Sequence, residues 1–262
     1  MSDLSIIIPS YKDLYLHKTI DSLLKNARGK IEIIPVLDGY WPDSPFKDDP
    51  RVRVIHLGKN QGMRGAINAG VAISRGEYLM RTDEHCLFGR DFDRILTKDI
   101  KDNWIVTPRR FFLDPAKWEV MDIPPVDYEK LKIRKIDGKE YGFKGVRWQT
   151  RTRERRYKTI DETMSIQGSC WVMRRSWWDK VIKKLETKRY GPMCQNSQEI
   201  VFKTWQAGGK LMVNKNTWFA HRHVSFSKTP NHKKRDYESC LKYALDKWRD
   251  YYLKVIKPKW KI

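Results

Sequence analysis

Cysteine is scarce in this sequence, and the few cysteines follow no metal-binding or redox pattern. The chain contains four, and none belongs to a CxxC pair of the kind found in zinc sites and thiol–disulfide enzymes. Free thiols are therefore expected at all four positions, which are Cys86, Cys170, Cys194 and Cys240. Free thiols are typical of a reducing compartment, so the expected location is the cytoplasm.

Long apolar runs are also absent. No segment approaches the roughly 18 consecutive apolar residues that a membrane-spanning helix needs. The N-terminal MSDLSIIIPS has no charged leader followed by an extended apolar core. The sequence therefore predicts no transmembrane segment, although a basic surface on such a protein could still contact an anionic membrane.

Acidic residues are too few to balance the basic ones. The 262 residues include 53 Lys and Arg but 32 Asp and Glu, which gives a formal net charge of +21. A chain this basic attracts polyanions such as nucleic acid, an anionic membrane surface or an acidic glycan. The length is sufficient for one large domain with a core of its own.

Strand and helix patterns alternate over the first hundred residues. Short β-branched runs predict four strands, in LSIIIPSY, IEIIPVLDG, VRVIHL and EYLMRTDEH. Helical spacing of apolar and small residues predicts helices in DLYLHKTIDSLLKN and GMRGAINAGVAISRG. The resulting βαββαβ order predicts a mostly parallel sheet with a ligand site at the carboxyl ends of its strands.

Polar side chains follow three of these predicted strands. Asp38 follows the second strand, Asn60 follows the third, and Asp83 and His85 follow the fourth. Residues i and i+2 of an extended segment point the same way, so Asp83 and His85 can face one ligand while Glu84 points elsewhere.

Several motifs in this order resemble a known family. SIIIPSYKDLYLHKTIDSLL, LDG, NQGMRGAINAGVAISRGEYLMRTDEH and GSCWVMRRSWWDKV are similar to the nucleotide-diphospho-sugar glycosyltransferases of family 2, which have the GT-A fold. The DEH sequence, with NSQEIVFKTWQAGGKLMVNKNTWFAHRH downstream, resembles the polypeptide N-acetylgalactosaminyltransferase branch. The resemblance covers roughly residues 4–95 and 165–223. It implies a Rossmann-like α/β sheet flanked by helices.

The resemblance implies a metal site. Enzymes of that branch hold manganese with an Asp-x-His pair and a later His, which correspond here to Asp83, His85 and His221; His223 is the alternative third ligand. Carboxylate, imidazole, diphosphate oxygens and water suit Mn²⁺ or Mg²⁺. Such an ion would neutralise charge on the departing nucleoside diphosphate, with Asp83 contributing directly to catalysis.

The resemblance also implies a set of donor-binding residues. Asp38 corresponds to the acid that reads uracil and ribose in relatives, and Asn60 follows the neighbouring strand. Arg64 and Asn68 lie one helical turn apart, where they could face the diphosphate or instead form a salt bridge or cap. The loop beneath the base corresponds to Pro9, Ser10 and Tyr11.

The catalytic base is where the sequence departs from the family. Inverting relatives carry Glu-Asp two residues before a further Glu, but here Asn196 and Ser197 precede Glu199. Ser197 cannot act as a general base at neutral pH. Either transfer proceeds with retention, the leaving diphosphate taking the proton, or a carboxylate has taken the role. The candidates are Glu199 and, in the unmatched segment, Asp161 or Glu162.

The acceptor side is strongly basic. Residues 147–158, RWQTRTRERRYK, contain six basic residues and one acid, with Trp148 and Tyr157 between them. Alternating basic and aromatic side chains suit a phosphate backbone with exposed bases. The predicted acceptor-binding residues are Trp171, Arg151, Arg153, Arg155 and Arg156. Core packing is the alternative for Trp171, and a solvated surface loop is the alternative for the arginines.

The C-terminal segment predicts an amphipathic helix with a basic tail. Its apolar stripe contains Tyr237, Leu241, Ala244, Trp248, Tyr251 and Val255, and packing against the domain is its expected role. The predicted organisation is a GT-A domain at 1–225 and a basic helix and tail at 226–262. The donor half covers about 1–95, and the acceptor half covers about 96–225 with a basic loop at 143–160.

These features together predict a metal-dependent glycosyltransferase that moves a sugar from a nucleotide sugar, UDP-linked by resemblance, to a hydroxyl. The favoured acceptor is a hydroxymethylated base in DNA, since it combines a hydroxyl with a polyanion. Such a base would have to be flipped out of the duplex. Polysaccharide, lipid-linked and peptide acceptors are the alternatives. A non-enzymatic nucleic-acid-binding module on a transferase scaffold is a further one.

Overall fold

A ten-stranded sheet organises the part of the chain that this computed structural model describes, residues 3–191, 194–223 and 234–262. The strands are β1 (Leu4–Ser10), β2 (Ile31–Asp38), β3 (Ile55–Leu57), β4 (Tyr78–Thr82), β5 (Cys86–Phe88), β6 (Trp104–Asp114), β7 (Glu119–Val120), β8 (Glu129–Ile136), β9 (Lys139–Arg147), β10 (Ile160–Glu162), β11 (Cys170–Arg174) and β12 (Lys210–His221). Of these, β8 and β9 form a separate two-stranded sheet.

Helices cover the sheet and extend beyond it at the C-terminus. They are α1 (Leu16–Asn26), α2 (Gly62–Ile73), α3 (Phe92–Thr97), α4 (Gln149–Glu154), α5 (Arg175–Trp177), α6 (Asn196–Gln206), α7 (Lys234–Tyr251) and α8 (Lys257–Lys259), with π-helical segments at Trp178–Ile182 and Tyr252–Ile256. In the described part of the chain, no helix combines the length and apolar character needed to cross a bilayer.

The main sheet is mostly parallel, with antiparallel pairing at the central strand β11, at the edge strand β10 and at the short strands β5 and β7. Its order is β10, β12, β6, β11, β4, β1, β2, β3. β3, β2, β1 and β4 run parallel, and so do β6 and β12. β11 runs antiparallel between β4 and β6, so β6 and β12 share the direction of the first four strands. The predicted βαββαβ order and mostly parallel sheet are confirmed.

Burial on both faces explains the parallel half. Every residue of β1 and β2 is buried, as expected for strands with a layer on each side. The helix α2 approaches these strands closely at Gly70, where a Cβ atom would lie 2.5 Å from the Ile7 side chain. The carboxyl ends of β1, β2 and β4 consequently meet at one edge of the sheet.

The predicted basic loop at 143–160 is mostly regular structure. Its first residues complete β9, and α4 follows directly. β9 pairs with β8 as an antiparallel hairpin, which the sequence did not predict. The alternation of basic and apolar residues in β8 and β9 gives this hairpin one face toward the protein and one toward solvent.

The C-terminal helix packs on the domain, as the apolar stripe predicts. Leu241, Ala244 and Trp248 are buried in the same core cluster as α6 and β11. The stripe then shifts by one residue, because the chain turns π-helical after α7. Tyr252 and Ile256 are buried, whereas the predicted Val255 is 45% exposed. The predicted boundary at 225/226 lies outside the described residues.

Two of the four cysteines are bonded to each other, so the free-thiol prediction is wrong for them. Cys194 and Cys240 form a disulfide that joins the segment before α6 to α7. Cys86 and Cys170 are buried free thiols, as predicted. The sequence could not reveal the bond, because the partners are 46 residues apart and their proximity arises only when α7 packs on the core.

Candidate metal and substrate site

Three side chains converge at the carboxyl edge of the sheet. Asp83 and His85 follow β4, and His221 ends β12. The ligand atoms of this group, which we call the Asp–His–His cluster, all lie within 4.8 Å of one another. His221 Nε2 lies 3.0 Å from Asp83 Oδ2 and 3.2 Å from His85 Nε2. The structure thus brings together the three residues that the sequence analysis named as ligands, and His223 lies outside the cluster.

A carboxylate that the sequence analysis missed fixes the orientation of His85. Asp13 Oδ2 lies 3.0 Å from His85 Nδ1. A carboxylate accepts hydrogen bonds, so His85 Nδ1 carries the proton that it donates to Asp13. In the neutral ring the lone pair is then on Nε2, which faces His221. A carboxylate behind an imidazole in this way is the usual partner of a metal-binding histidine.

Arg81 is the charge that stabilises Asp83 in its buried position. Its guanidinium contacts Asp83 Oδ1 and the Gly168 carbonyl. Burial favours the neutral acid, but Arg81 and His221 outweigh it and hold the pKa of Asp83 well below its usual range. Burial lowers the pKa of His221 to about 4 despite the opposing effect of Asp83. At neutral pH the pair is therefore an ionised carboxylate and a neutral imidazole, the states in which both can bind a cation.

Glu84 points away from the cluster, as the strand geometry predicts. Its carboxylate accepts a hydrogen bond from the Tyr11 amide at 3.1 Å. Burial, together with the nearby Asp13, raises the pKa of Glu84 to about 8. Glu84 therefore connects the segment after β4 to the segment after β1.

A first cavity of about 660 Å³ opens between the segments that follow β1 and β2. Asp13 is in its wall, so the cavity begins beside His85. Two aromatic side chains line it: Tyr40, and Trp41, which is 71% exposed and stacks on His56 at a centroid distance of 4.0 Å. Its size and aromatic wall suit a planar heterocycle.

The predicted donor residues around this cavity have mainly structural contacts. Both oxygens of Asp38 accept hydrogen bonds at the start of α2, from the Gln61 amide at 2.6 Å and the Gly62 amide at 2.7 Å. Asn60 donates to the Asp38 carbonyl. Pro9 and Ser10 are the last residues of β1, and Ser10 contacts the Tyr40 hydroxyl.

Arg64 and Asn68 do not face the cluster in this structure. Arg64 is fully buried and paired with Glu199, with its Nε donating to the Cys194 carbonyl at 2.9 Å. Asn68 donates to the Leu185 carbonyl and accepts from the Leu185 amide. Of the alternatives raised for these two residues, the structure has the salt bridge and the capping hydrogen bonds.

Glu199 is enclosed and lines neither of the cavities beside the cluster. It is 0% exposed, and its carboxylate contacts Arg64 on one side and Lys203 at 2.8 Å on the other. Both its oxygens contact cations in this structure, so nothing in the geometry supports a catalytic role, and the prediction that Glu199 acts as the catalytic base stays a prediction. Its role is to join α6 to α2.

A second cavity of about 400 Å³ adjoins the cluster. Asp83 and His221 are in its wall, and so are Asn196 and Ser197. The positions that carry Glu-Asp in inverting relatives therefore do face the site, but they bring no carboxylate. The remaining charged lining comes from Arg81, Arg110, Glu129, Arg134 and Lys144.

The predicted acceptor residues lie outside the second cavity's lining. Trp171 is 1% exposed and stacks on Trp178, so it belongs to the core. Arg151 donates to the Glu162 carbonyl and lies over the Trp148 and Trp260 rings. The other three, Arg153, Arg155 and Arg156, are exposed; Arg155 lies 3.9 Å from Asp161, and Arg156 donates to the Tyr157 hydroxyl.

The alternative bases Asp161 and Glu162 are also distant from the cluster's cavities. Both belong to β10, at the edge of the sheet. Asp161 accepts from the Tyr128 hydroxyl at 3.0 Å and pairs with Arg151. Glu162 lies 3.6 Å from Lys259. Neither residue is in the wall of the second cavity.

Comparison with known proteins agrees with this architecture. A family model described as Glycosyl transferase family 2 matches residues 5–182. The uncharacterized glycosyltransferase EpsJ of Bacillus subtilis is 36% identical over 107 residues, 38% of this chain and 30% of that protein. Glycosyltransferase GlyG of Streptococcus pneumoniae serotype 4 is 30% identical over 110 residues, 39% of this chain and 36% of that protein. The chain thus spans about a third of the length of these relatives.

A solved structure shares the fold over nearly the whole chain. It is the crystal structure of GalNAc-T7 with UDP, GalNAc and Mn²⁺, with a TM-score of 0.70 and 18% identity. The match covers 97% of this chain and 50% of that one. At this identity the likeness establishes the fold, and it confirms the predicted GT-A architecture.

Proposed function

Because the chain belongs to glycosyl transferase family 2, we propose that it transfers a sugar from a UDP-sugar to an acceptor hydroxyl, with a divalent cation at the Asp–His–His cluster. The single observation that carries this proposal is the convergence of Asp83, His85 and His221 within 4.8 Å, beside one cavity that Asp83 and His221 line and another that Asp13, the partner of His85, lines. One cavity would take the nucleotide and the other the acceptor.

The donor atoms fit Mn²⁺ or Mg²⁺. One carboxylate and two imidazoles leave positions free for phosphate oxygens and water in a six-coordinate ion, and the mixed set favours Mn²⁺. In the neutral form of His85 that donates Nδ1–H to Asp13, the lone pair is on Nε2, and the His221 Nε2 atom lies 3.2 Å from it. The bound ion would act as a Lewis acid on the diphosphate and neutralise the charge of the leaving group.

The donor is proposed to be UDP-linked. The similar GalNAc-T7 structure contains UDP and Mn²⁺, and the first cavity offers Tyr40 and Trp41 as surfaces for a base. The diphosphate would then extend from this cavity past Asp13 to the cluster. Lys12, whose ammonium lies over the Tyr11 ring, is available there for a phosphate oxygen.

We further propose that the acceptor substrate is anionic. The second cavity has four cationic side chains, Arg81, Arg110, Arg134 and Lys144, against the carboxylates of Asp83 and Glu129. The whole chain has a formal charge of +21. Hydroxymethylated duplex DNA is the acceptor to be tested first, and polysaccharide, lipid-linked and peptide hydroxyls are tested beside it.

The experiment measures UDP release from UDP-glucose, UDP-galactose, UDP-GlcNAc and UDP-GalNAc, with Mn²⁺ or with chelator. We expect Mn²⁺-dependent release from at least one donor, reduced about 100-fold or more by Asp83→Asn, since the variant loses a metal ligand. Asp179→Asn, on the exposed surface, is the matched control. Wild-type protein that releases no UDP from any donor would favour the non-enzymatic alternative.

The acceptor is read by mass spectrometry of nucleosides after incubation with plain or hydroxymethylated DNA. A sugar-sized mass gain confined to the hydroxymethylated base would support DNA as the acceptor. UDP release without a mass gain would exclude DNA and favour the glycan, lipid or peptide acceptors.

A further inference from the structure

The second cavity has two carboxylates in its wall. These are Asp83 and Glu129, the only acidic residues among the described residues that line it. Asp83 is engaged by Arg81 and His221, which leaves Glu129 as the acid that is free of the Asp–His–His cluster. Glu129 belongs to the segment for which the sequence offered no resemblance.

The hairpin of β8 and β9 presents the Glu129 side chain to this cavity. Glu129 is the first residue of β8, and its side chain is 12% exposed. On the neighbouring strand β9, a Cβ atom on Gly145 would lie 2.5 Å from Glu129 Oε2. A glycine at position 145 therefore leaves the space that the carboxylate occupies.

The carboxylate of Glu129 has a charged neighbour, but its oxygens accept no hydrogen bond from a described side chain. Its charged partner is Arg110, whose guanidinium lies 3.6 Å from Oε1, beyond the range of a good hydrogen bond. No side-chain hydrogen bond to the Glu129 carboxylate occurs among the described residues 3–191, 194–223 and 234–262. Its lone pairs are thus available to a hydroxyl that enters the cavity.

Burial makes this carboxylate a better base. Desolvation raises the pKa of Glu129, and Arg110 only partly opposes the effect. A general base works best when its pKa approaches the working pH. Glu199 differs from Glu129 in this respect, because its two oxygens contact the cations Arg64 and Lys203.

We propose that Glu129 is the general base that activates the acceptor hydroxyl, in place of the aspartate that inverting relatives carry at the position of Ser197. Glu129 takes the hydroxyl proton as the oxygen forms a bond to the anomeric carbon. The bond from that carbon to the diphosphate breaks, and its electron pair leaves with UDP. Attack opposite to the leaving group inverts the anomeric configuration. The inference rests on the proposed function.

The test compares two nucleophiles in the wild type and in Glu129→Gln. Water needs a base to lose its proton, whereas azide is already an anion. We expect Mn²⁺-dependent hydrolysis of the UDP-sugar to fall about 10²- to 10⁴-fold in Glu129→Gln, and azide to restore UDP release in that variant. Glu119→Gln, which changes a 60% exposed carboxylate, should retain wild-type hydrolysis.

Two further measurements distinguish a catalytic role of Glu129 from a purely structural one. The affinity of Glu129→Gln for UDP and Mn²⁺ should equal that of the wild type, because the first cavity does not include Glu129. Proton NMR of early time points should show the β-anomer released from an α-linked donor.

Several outcomes would overturn the inference. These are unchanged hydrolysis in Glu129→Gln, no response of that variant to azide, and release of the α-anomer. Each of them leaves the proposed function standing, since the wild-type enzyme still turns over. Absence of any turnover in the wild type would instead count against the proposed function and the inference together.

Discussion

Asp13 and His85 form a carboxylate–imidazole pair at the edge of the Asp–His–His cluster, with 3.0 Å between Oδ2 and Nδ1. The two residues are far apart in sequence, on the segments that follow β1 and β4. The pair determines which nitrogen of His85 is free for a ligand. We therefore expect Asp13 to act as a positioning residue, with an effect that is measurable in metal binding.

Replacement of Asp13 by Asn should weaken metal binding without unfolding the site. The amide can still accept the hydrogen bond that the Tyr15 amide donates to Oδ1 at 2.8 Å, but the charge behind His85 is lost. We expect a 10- to 100-fold lower Mn²⁺ affinity, measured by electron paramagnetic resonance of free Mn²⁺. Asp179→Asn should bind Mn²⁺ like the wild type. Equal affinity in Asp13→Asn would mean that the pair does not assist a metal.

Loss of Glu199 should destabilise the folded protein. Glu199→Ala leaves Arg64 buried without its partner, and breaking a buried pair typically costs about 3–5 kcal/mol. Urea unfolding should show this loss, and Glu119→Ala should leave the unfolding curve unchanged. If Glu199→Ala instead kept its stability and lost turnover, Glu199 would be the base after all.

The pH dependence of stability gives a second test of the environment of Glu129. Because burial raises its pKa in the folded protein, the folded state holds this proton more tightly than the unfolded state. Stability is then fully present below the ordinary glutamate pKa and is lost as the pH rises through the folded pKa.

Glu129→Gln removes this titration. Its free energy of unfolding should equal that of the wild type at pH 4 and exceed it at pH 8, as urea titrations at the two pH values would reveal. A variant less stable than the wild type at pH 8 would show that the contact with Arg110 outweighs the cost of burial.

Reduction of the disulfide should destabilise the protein. Cys194 and Cys240 are 46 residues apart, and closing a loop of that size stabilises a protein by on the order of 2–4 kcal/mol. We expect dithiothreitol to lower the urea midpoint of the wild type. The double variant Cys194→Ser with Cys240→Ser should have the lower midpoint already and should not respond to dithiothreitol. A urea midpoint of the wild type that is the same with and without dithiothreitol would contradict the prediction.

The donor half of the fold could be predicted from local sequence because its signals are local. Buried parallel strands appear as continuous apolar runs, and the alternation of a strand separates Asp83 and His85 from Glu84. The family resemblance supplied His221. None of these inferences required knowledge of what packs against a helix.

The predictions failed where tertiary contacts determine the environment of a side chain. Helical spacing showed that Arg64 and Asn68 share a face of α2, but it could not show that α6 and the segment around Leu185 cover that face. Glu129 and Asp13 gave no periodic signal at all. The function of an isolated acid in a turn or at the start of a strand can be inferred only once the fold shows which distant residues lie beside it.

The DEH segment has a consequence for how ligands would bind together. Asp83 and His85 face the cluster, while Glu84 accepts a hydrogen bond from the Tyr11 amide, and Asp13 of that same segment after β1 bonds back to His85. A nucleotide that orders the segment after β1 would therefore also order the metal ligands. Thermodynamic linkage is reciprocal, so the cation would strengthen nucleotide binding by the same factor by which the nucleotide strengthens cation binding.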